Sequence, residues 1–281
     1  MSMMQEELLG VDIGGTNIKI GKVVNGVVVQ KCKIRVNRDD LEQVTLDNLY
    51  KGLKGFMTDS VKAIGIGVPA VVDIESGTVY DVQNIPSWTQ IALKDLVEEK
   101  FNVPVYINND ANCFAIGEKR FGKAQEFKNC IALSLGTGMG MGIIINDKLY
   151  NGVLCGAGEI GMVPYLDGIL EEYTGSFFFE REYKSSALSL YNKALEGDEK
   201  ALLAFNDYGI HLAEAIKIIL YMYAPEAIIL GGSISNSFQF FEKSLKTGLE
   251  SFAYQKQIEN LKIQTSDLVD SPILGAAALC L

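Results

Sequence analysis

The chain has a single histidine among 281 residues, and that scarcity settles several questions before any motif is read. A structural zinc site needs four Cys or His ligands close together. The five cysteines, Cys32, Cys113, Cys130, Cys155 and Cys280, are scattered, odd in number and form no C-x-x-C pair. No zinc is therefore expected, and the thiols are expected to be reduced in a cytoplasmic protein. The one histidine, His211, falls in a predicted helix over Leu202–Tyr223 and reads as a packed or surface residue. Positive charge is also short. With 25 Lys and Arg against 35 Asp and Glu, the net charge is −10, which argues against binding nucleic acid or an anionic membrane. Residues Met1 to Glu7 lack the basic-then-apolar pattern of a signal peptide. No charge-free apolar run reaches the ~18 residues of a membrane span. Neither a low-complexity stretch nor a Pro- or Ser-rich linker occurs.

Two familiar phosphate motifs are missing as well. No G-x-x-x-x-G-K-[ST] loop is present, and Gly136-Thr137-Gly138-Met139-Gly140-Met141-Gly142 runs into a predicted strand, not into the helix that a dinucleotide fingerprint requires. What the chain has instead is a unit that occurs twice. Asp12-Ile13-Gly14-Gly15-Thr16-Asn17 lies between the apolar runs Leu8–Ile13 and Ile18–Val24. Ser134-Leu135-Gly136-Thr137-Gly138 lies between Ile131–Leu135 and Ile143–Ile145. Each copy ends at a hairpin signal, Asn25-Gly26 or Asn146-Asp147. A glycine turn lets backbone N–H groups close on an anion, and threonine adds a hydroxyl donor. Either turn alone reads as a tight hairpin. The duplication, with threonine in both copies, points to a phosphate held by local backbone.

The length and 48% hydrophobic content allow a large core and favour two domains. Predicted elements follow in the order β-β-β-α-β-α-β. They are strands Leu8–Ile13, Ile18–Val24, Val27–Val36 and Val61–Val68, a hairpin at Val71–Tyr80, strand Pro104–Ile107, and helices Asp40–Thr58 and Leu93–Phe101. A helix opens at Asn109-Asp110 and runs to Phe121. After the second glycine unit come helices Leu170–Lys184, Ser186–Leu195 and Leu202–Tyr223, strand Ala227–Leu230, helix Phe238–Phe252, strand Leu261–Gln264 and helix Ile273–Leu281. This is an α/β chain with mixed sheets. The expected division is a smaller domain over 1–109, to which the last helix near 273–281 returns, and a larger one over 110–272. A cleft is expected between the two lobes.

Asp110 is the candidate general base. It follows a strand and opens a helix, at the strand end where α/β ligands bind. The bland alternative is an N-cap, a position Asp favours, and the two roles are compatible.

Taken in order, the motifs resemble the ROK family of sugar kinases and sugar-responsive repressors. The resemblance runs through residues 12–19, Gly67-Val68-Pro69-Ala70-Val71-Val72-Asp73, Asn84-Ile85-Pro86-Ser87-Trp88 and Asn109-Asp110-Ala111-Asn112. It continues through Leu135-Gly136-Thr137-Gly138-Met139-Gly140, Gly158-Glu159-Ile160-Gly161 and Leu230-Gly231-Gly232. It implies the actin-like, ribonuclease H-like ATPase fold, ATP with Mg²⁺ as cofactors, a small-molecule sugar as partner, and often a homodimer. It makes Asp110 the base that takes the proton of the attacking hydroxyl. Asn84, Asn109, Glu159, Glu171 and the residue at position 162 become sugar partners. Asp12 becomes a magnesium or phosphate organiser. Gly14, Gly15, Thr16, Asn17, Lys19, Gly136, Thr137 and Gly138 become phosphate-binding, and Gly231-Gly232 part of the adenosine pocket.

The departures carry information too. The family's G-E-I-G-H ends here in Met162, and its cysteine-rich zinc loop is replaced by the shorter Val163-Pro164-Tyr165-Leu166-Asp167-Gly168-Ile169-Leu170. Apolar packing is expected to replace the metal. The chain reaches Asp12 at once, so the winged helix of repressor members is not expected. The leading expectation is an ATP-dependent kinase for a hexose or N-acylhexosamine; the alternative is a sugar sensor without turnover, for which Met162 speaks.

Overall fold

The computed structural model describes residues 7–83 and 85–281. Its contacts divide the chain into two compact units. Unit 1 comprises Met1–Gln125, Leu149–Ala157 and Leu268–Leu281; unit 2 comprises Glu126–Lys148 and Gly158–Asp267.

Unit 1 begins with β1 (Glu7–Ile13), β2 (Asn17–Val24) and β3 (Val27–Arg35), followed by α1 (Glu42–Lys54) and β4 (Val61–Val68). A small sheet of β5 (Val71–Asp73), β6 (Thr78–Tyr80) and β7 (Gln90–Ile91) comes next, then α2 (Leu93–Phe101), β8 (Val105–Asn109) and α3 (Asp110–Phe121). The main sheet has the order β3-β2-β1-β4-β8, with the first three strands antiparallel and β4 and β8 added in parallel. β4 is buried at every position but one, as a parallel strand covered on both faces must be.

Unit 2 repeats this plan. β9 (Cys130–Leu135), β10 (Met139–Ile145) and β11 (Lys148–Leu149) make the first hairpins, and a short hairpin of β12 (Pro164–Tyr165) and β13 (Gly168–Ile169) follows. Helices α4 (Leu170–Thr174), α5 (Ser176–Tyr183), α6 (Ala187–Leu195) and α7 (Glu199–Tyr223) lead to β14 (Ala227–Gly231). Then come α8 (Phe238–Leu249), α9 (Gln255–Asn260) and β15 (Lys262–Thr265). The sheet order is β11-β10-β9-β14-β15, the same sequence of positions as in unit 1. The duplicated strand–turn–strand unit read from the sequence is thus the seed of two sheets of equal design. Asn25, Gly26, Asn146 and Asp147 all take positive φ, as the hairpin signals require.

Three differences from the sequence reading have local causes. The helix expected over 170–184 is broken at Gly175, whose extended backbone separates α4 from α5. The short helix α9 was not anticipated; it has no buried residue and so no apolar stripe to betray it. The boundary drawn at 109/110 falls by contacts at 125/126, because α3 packs on α10 (Ser271–Ala278) and on the unit 1 sheet.

α10 packs on β1 and β4 so closely that side chains cannot intervene. A Cβ at Gly10 would lie 2.0 Å from the Ile273 carbonyl oxygen, and one at Gly65 would lie 1.9 Å from that of Ala276. Both obstacles are backbone, so neither can rotate away. Gly65→Ala is expected to destabilise the protein by about 1–3 kcal/mol, the usual cost of overpacking a closed core. Urea unfolding followed by circular dichroism is the check, and an unchanged midpoint would mean that α10 moves outward freely.

Candidate functional site

In unit 1 the site residues gather where parallel strands end. Asp12 pairs with Gly67 in register, and Gly67 pairs with Asn108, so β1, β4 and β8 reach the same level. With ~4.8 Å between strands, the backbones of Asp12 and Asn108 are about 10 Å apart. Asp12 faces Lys19 across the hairpin, and their charged groups meet at 2.8 Å. The turn between them is closed by Gly14 N–H donating to the Asn17 carbonyl at 2.9 Å, while Asn17 Nδ2 donates to Thr16 Oγ1 at 2.8 Å.

Asp110 is the first residue of α3 and is exposed. The cap is Asn109: its Oδ1 accepts from Ala111 N–H at 2.9 Å, and its Nδ2 reaches the Ala70 carbonyl at 3.4 Å. The capping role considered for Asp110 therefore falls to its neighbour, although Asp110 Oδ1 also receives the Ala111 N–H at 2.9 Å. Beneath them lies Cys113, fully buried, with its Sγ 3.1 Å from where a Gly67 Cβ would stand. Burial pushes the Cys113 thiol well up, and the Asp110 and Asp12 carboxylates push it further. That thiol is inert as a nucleophile. Asn84 lies outside the described residues.

In unit 2 the turn Gly136-Thr137-Gly138 follows β9, and Gly231-Gly232 ends β14 beside it. Gly231 is in register with Ser134, and a Cβ at Gly232 would sit 2.2 Å from the Leu135 carbonyl oxygen. Glu171, at the start of α4, is seated on the glycine turn. Its Oε2 accepts from Met139 N–H at 3.0 Å and lies 2.1 Å from where a Gly138 Cβ would be. A residue with a side chain at 138 would evict it. Gly175 breaks the helix for a related reason. A Cβ there would lie 2.5 Å from the Thr137 carbonyl oxygen, while Ser176 N–H donates to the Gly136 and Thr137 carbonyls at 2.9 and 3.2 Å. The end of α4 and the start of α5 thus clamp the turn. The sequence signal was a Gly-Ser pair inside an otherwise helical run.

Glu159 is exposed, just before a 3-10 turn formed by Ile160–Met162. The segment is threaded along β10: a Cβ at Gly158 would meet the Met141 carbonyl oxygen at 2.0 Å, and one at Gly161 that of Met139 at 2.9 Å. Met162 is 59% exposed. The shortened loop is the β12–β13 hairpin, held by rings and hydrogen bonds. Tyr165, Tyr173 and His211 contact one another, Phe178 packs on His211, and Arg181 stacks over Tyr173 at 4.1 Å. Tyr173 donates its hydroxyl to Asp167. Among the described residues, no group of three or more His, Cys, Asp or Glu side chains is placed to hold a metal.

Two observations show that the second glycine turn fits a phosphate group. The Gly138–Met139 backbone already receives a carboxylate, so this turn accepts an anion, and a Cβ at Gly136 would meet nothing within 4 Å, which leaves room. Asp12 offers a single carboxylate, and magnesium is commonly held by one or two carboxylates together with substrate phosphates.

Two sheets of identical strand order, each opened by a strand–glycine turn–strand unit, define the actin-like, ribonuclease H-like ATPase fold. The chain belongs to the ROK family, whose model matches residues 8–281. It is 28% identical to the xylose repressor of Caldicellulosiruptor bescii, over 97% of this chain and 77% of the repressor. It is equally 28% identical to the glucokinase of Halalkalibacterium halodurans, over 96% of this chain and 94% of that enzyme. A crystal structure of a ROK family glucokinase from Streptomyces griseus, in complex with glucose and AMPPNP, superposes with a TM-score of 0.83. Its sequence identity is 27%, over 97% of this chain and 98% of that one.

Tyr165 and His211 share a hydrogen bond of 3.0 Å. Burial pushes the Tyr165 hydroxyl up to about 12, so it keeps its proton beside the imidazole. Burial also lowers the His211 pKa below its ordinary value; Arg181 adds to this, and Asp207, Glu182 and Glu214 oppose it. A lowered pKa means that the unfolded chain takes up this proton first as pH falls below about 6.5. Stability should therefore decline from pH 7.5 to 5.5, and His211→Gln should decline less over the same interval. Equal declines in the two proteins would show that the imidazole does not carry the effect.

Proposed function

We propose that the protein phosphorylates a hydroxyl of a hexose or N-acylhexosamine, with ATP as donor and Asp110 as general base. The observation that carries this reading is the division of labour at the start of α3. Asn109 caps the helix, and the exposed Asp110 carboxylate stands where a parallel strand ends and the helix begins. Phosphoryl transfer asks for positioning, charge neutralisation and a residue to orient the attacking hydroxyl. Asp110 accepts that hydroxyl's proton as the oxygen bonds to the terminal phosphorus of ATP, whose bond to the bridging oxygen breaks and releases ADP. Asn109 Nδ2, Glu159 and Glu171 supply donors and acceptors for the sugar's other hydroxyls, and Asn84 and Met162 complete the set of proposed sugar partners. Lys19 and the turns Gly14–Asn17 and Gly136–Gly138 bind phosphate, and Gly231-Gly232 borders the adenosine. Asp12 would hold magnesium, which when bound neutralises charge on the phosphates. Relatives named glucokinase support the kinase reading.

A sensor that binds sugar without turnover is the second reading. The similarity to xylose repressors and the exposed Met162, a side chain without a strong hydrogen-bonding group, favour it. An ATPase-coupled assay over a panel of hexoses and their N-acetyl forms separates the two, since only a kinase releases ADP in response to a sugar.

Asp110→Asn keeps the geometry and loses only proton acceptance. Turnover should fall by about 10²–10⁴ with sugar affinity and circular dichroism unchanged. A variant that keeps more than about a tenth of the wild-type rate would exclude Asp110 as base.

Gly138→Ala tests the glycine turn. Its new methyl group would displace the Glu171 carboxylate, so the KM values for nucleotide and sugar should rise together. A change confined to the nucleotide would remove Glu171 from the sugar site.

A further inference from the structure

Residues Leu149–Ala157 interrupt unit 2. The chain leaves that unit after Lys148, makes its contacts in unit 1 and rejoins unit 2 at Gly158. The loop is closed on itself, with Ala157 N–H donating to the Asn151 carbonyl at 3.1 Å and Gly156 N–H to that of Val153 at 2.9 Å. Its side chains are sorted against the usual rule. Val153 is 85% and Leu154 45% exposed, whereas Cys155 is buried and Asn151 half-buried. Its backbone is also costly. Leu154 and Cys155, neither of them glycine, take φ of 53° and 59° in succession. A segment folded for apolar burial would do the reverse on both counts.

What the loop delivers is a polar cluster at Asn108, two residues before Asp110. Asn151 Oδ1 accepts from Asn108 Nδ2 at 2.9 Å and from Asn112 Nδ2 at 3.4 Å. Asn108 Oδ1 accepts from three donors: Asn109 N–H at 2.8 Å, Asn112 Nδ2 at 2.9 Å and Cys155 Sγ at 3.2 Å. Asn108 and Asn112 are both buried, and Asn112 Oδ1 has no partner among the described residues. A buried carbonyl without a donor is destabilising, and so is a strained loop. Asn112, Asn151 and Cys155, retained at this cost, all bond the Asn108 side chain, and Asn108 Oδ1 in turn receives the Asn109 N–H, one residue before Asp110.

We propose that Asn108, Asn112, Asn151 and Cys155 are positioning residues that fix the Asn108–Asn109 peptide at the start of α3, so that the Asp110 carboxylate is held at one place and angle for proton transfer. The inference rests on the reading of Asp110 as the general base. Displacing a base by about an ångström costs on the order of 10²-fold in rate while leaving binding groups elsewhere untouched. The cluster's signature is therefore a fall in kcat that exceeds any rise in the sugar KM passed on through Asn109, with the KM for ATP unchanged.

The test compares Asn151→Ala, Asn151→Asp, Asp110→Asn and the double variant Asp110→Asn/Asn151→Ala, by steady-state kinetics with the best sugar of the panel. Asn151→Ala removes the acceptor and should lower kcat by about 10- to 100-fold, with KM for sugar and ATP within about threefold of wild type. Asn151→Asp keeps the acceptor and should restore most of the rate. The double variant should be no slower than Asp110→Asn, because the network acts only through that carboxylate. Should Asn151→Ala fail to fold, Cys155→Ala and Cys155→Ser carry the same test, the serine hydroxyl restoring the donor to Asn108 and the rate with it. A wild-type kcat, a change in KM alone, or a double variant slower than Asp110→Asn overturns the positioning role and leaves the base reading intact. An Asp110→Asn protein that turns over at more than about a tenth of the wild-type rate overturns the base reading, and this inference with it.

Discussion

The parallel ladder joining β1, β4 and β8 is the constraint on which unit 1 depends. Parallel strands share a direction, so their carboxyl ends share an edge, and whatever follows each strand is delivered there. The register Asp12–Gly67–Asn108 puts a carboxylate, a glycine and an amide on one level. α3 then starts from β8 without any intervening loop, so Asp110 inherits its position from hydrogen bonds made several residues earlier. α10 packs on the same face of the sheet as α3 through the contacts at Gly10 and Gly65, where backbone meets backbone and nothing can yield. Rigidity beneath the site thus comes from main-chain packing, which a change in side chains cannot easily relax.

Unit 2 repeats the ladder with β9, β14 and β15 and uses it differently. Its edge carries turns and not a helix N-terminus: Gly136–Gly138 after β9, and Gly231-Gly232 after β14. A glycine turn has no packing of its own, and here the support is external. Glu171 binds the turn through Met139 N–H, and Ser176 N–H binds it through two carbonyls. α4 and α5 are short, and their break at Gly175 lets both of these contacts occur at once. A carboxylate resting where the backbone welcomes an anion links the residue proposed for the sugar to the turn proposed for phosphate.

The β12–β13 hairpin is held by rings and hydrogen bonds. Metal ligation fixes a loop at one point through a few strong bonds, whereas rings fix it through area and edge-to-face contact, each pair worth roughly 0.5–1.5 kcal/mol. Tyr165, Tyr173, Phe178 and His211 do this with one shared hydrogen bond and a stacked guanidinium. Apolar packing was too narrow an expectation. Tyrosine and histidine bring hydrogen bonds along with their surface, and a half-buried hairpin needs both.

Much of this protein was legible in the sequence because the signals were local. Asn25-Gly26 and Asn146-Asp147 demand positive φ wherever they occur, and alternating or continuous apolar runs mark strands regardless of their partners. These features determined the duplicated hairpins, the α/β order and the placing of Asp12 and Asp110 at strand ends, and the motif order carried the family. Other features required the tertiary structure because they join residues far apart in the chain. Nothing near Asn109 announces that it, and not Asp110, caps α3, since both suit that position. Nothing near Gly138 announces Glu171, which is 33 residues away. Asn151 and Cys155 look like ordinary loop residues until their loop is laid against β8. Local sequence fixes dihedral preferences and periodicity, but hydrogen-bond partners are chosen by which strand ends and loops the packed sheets bring together.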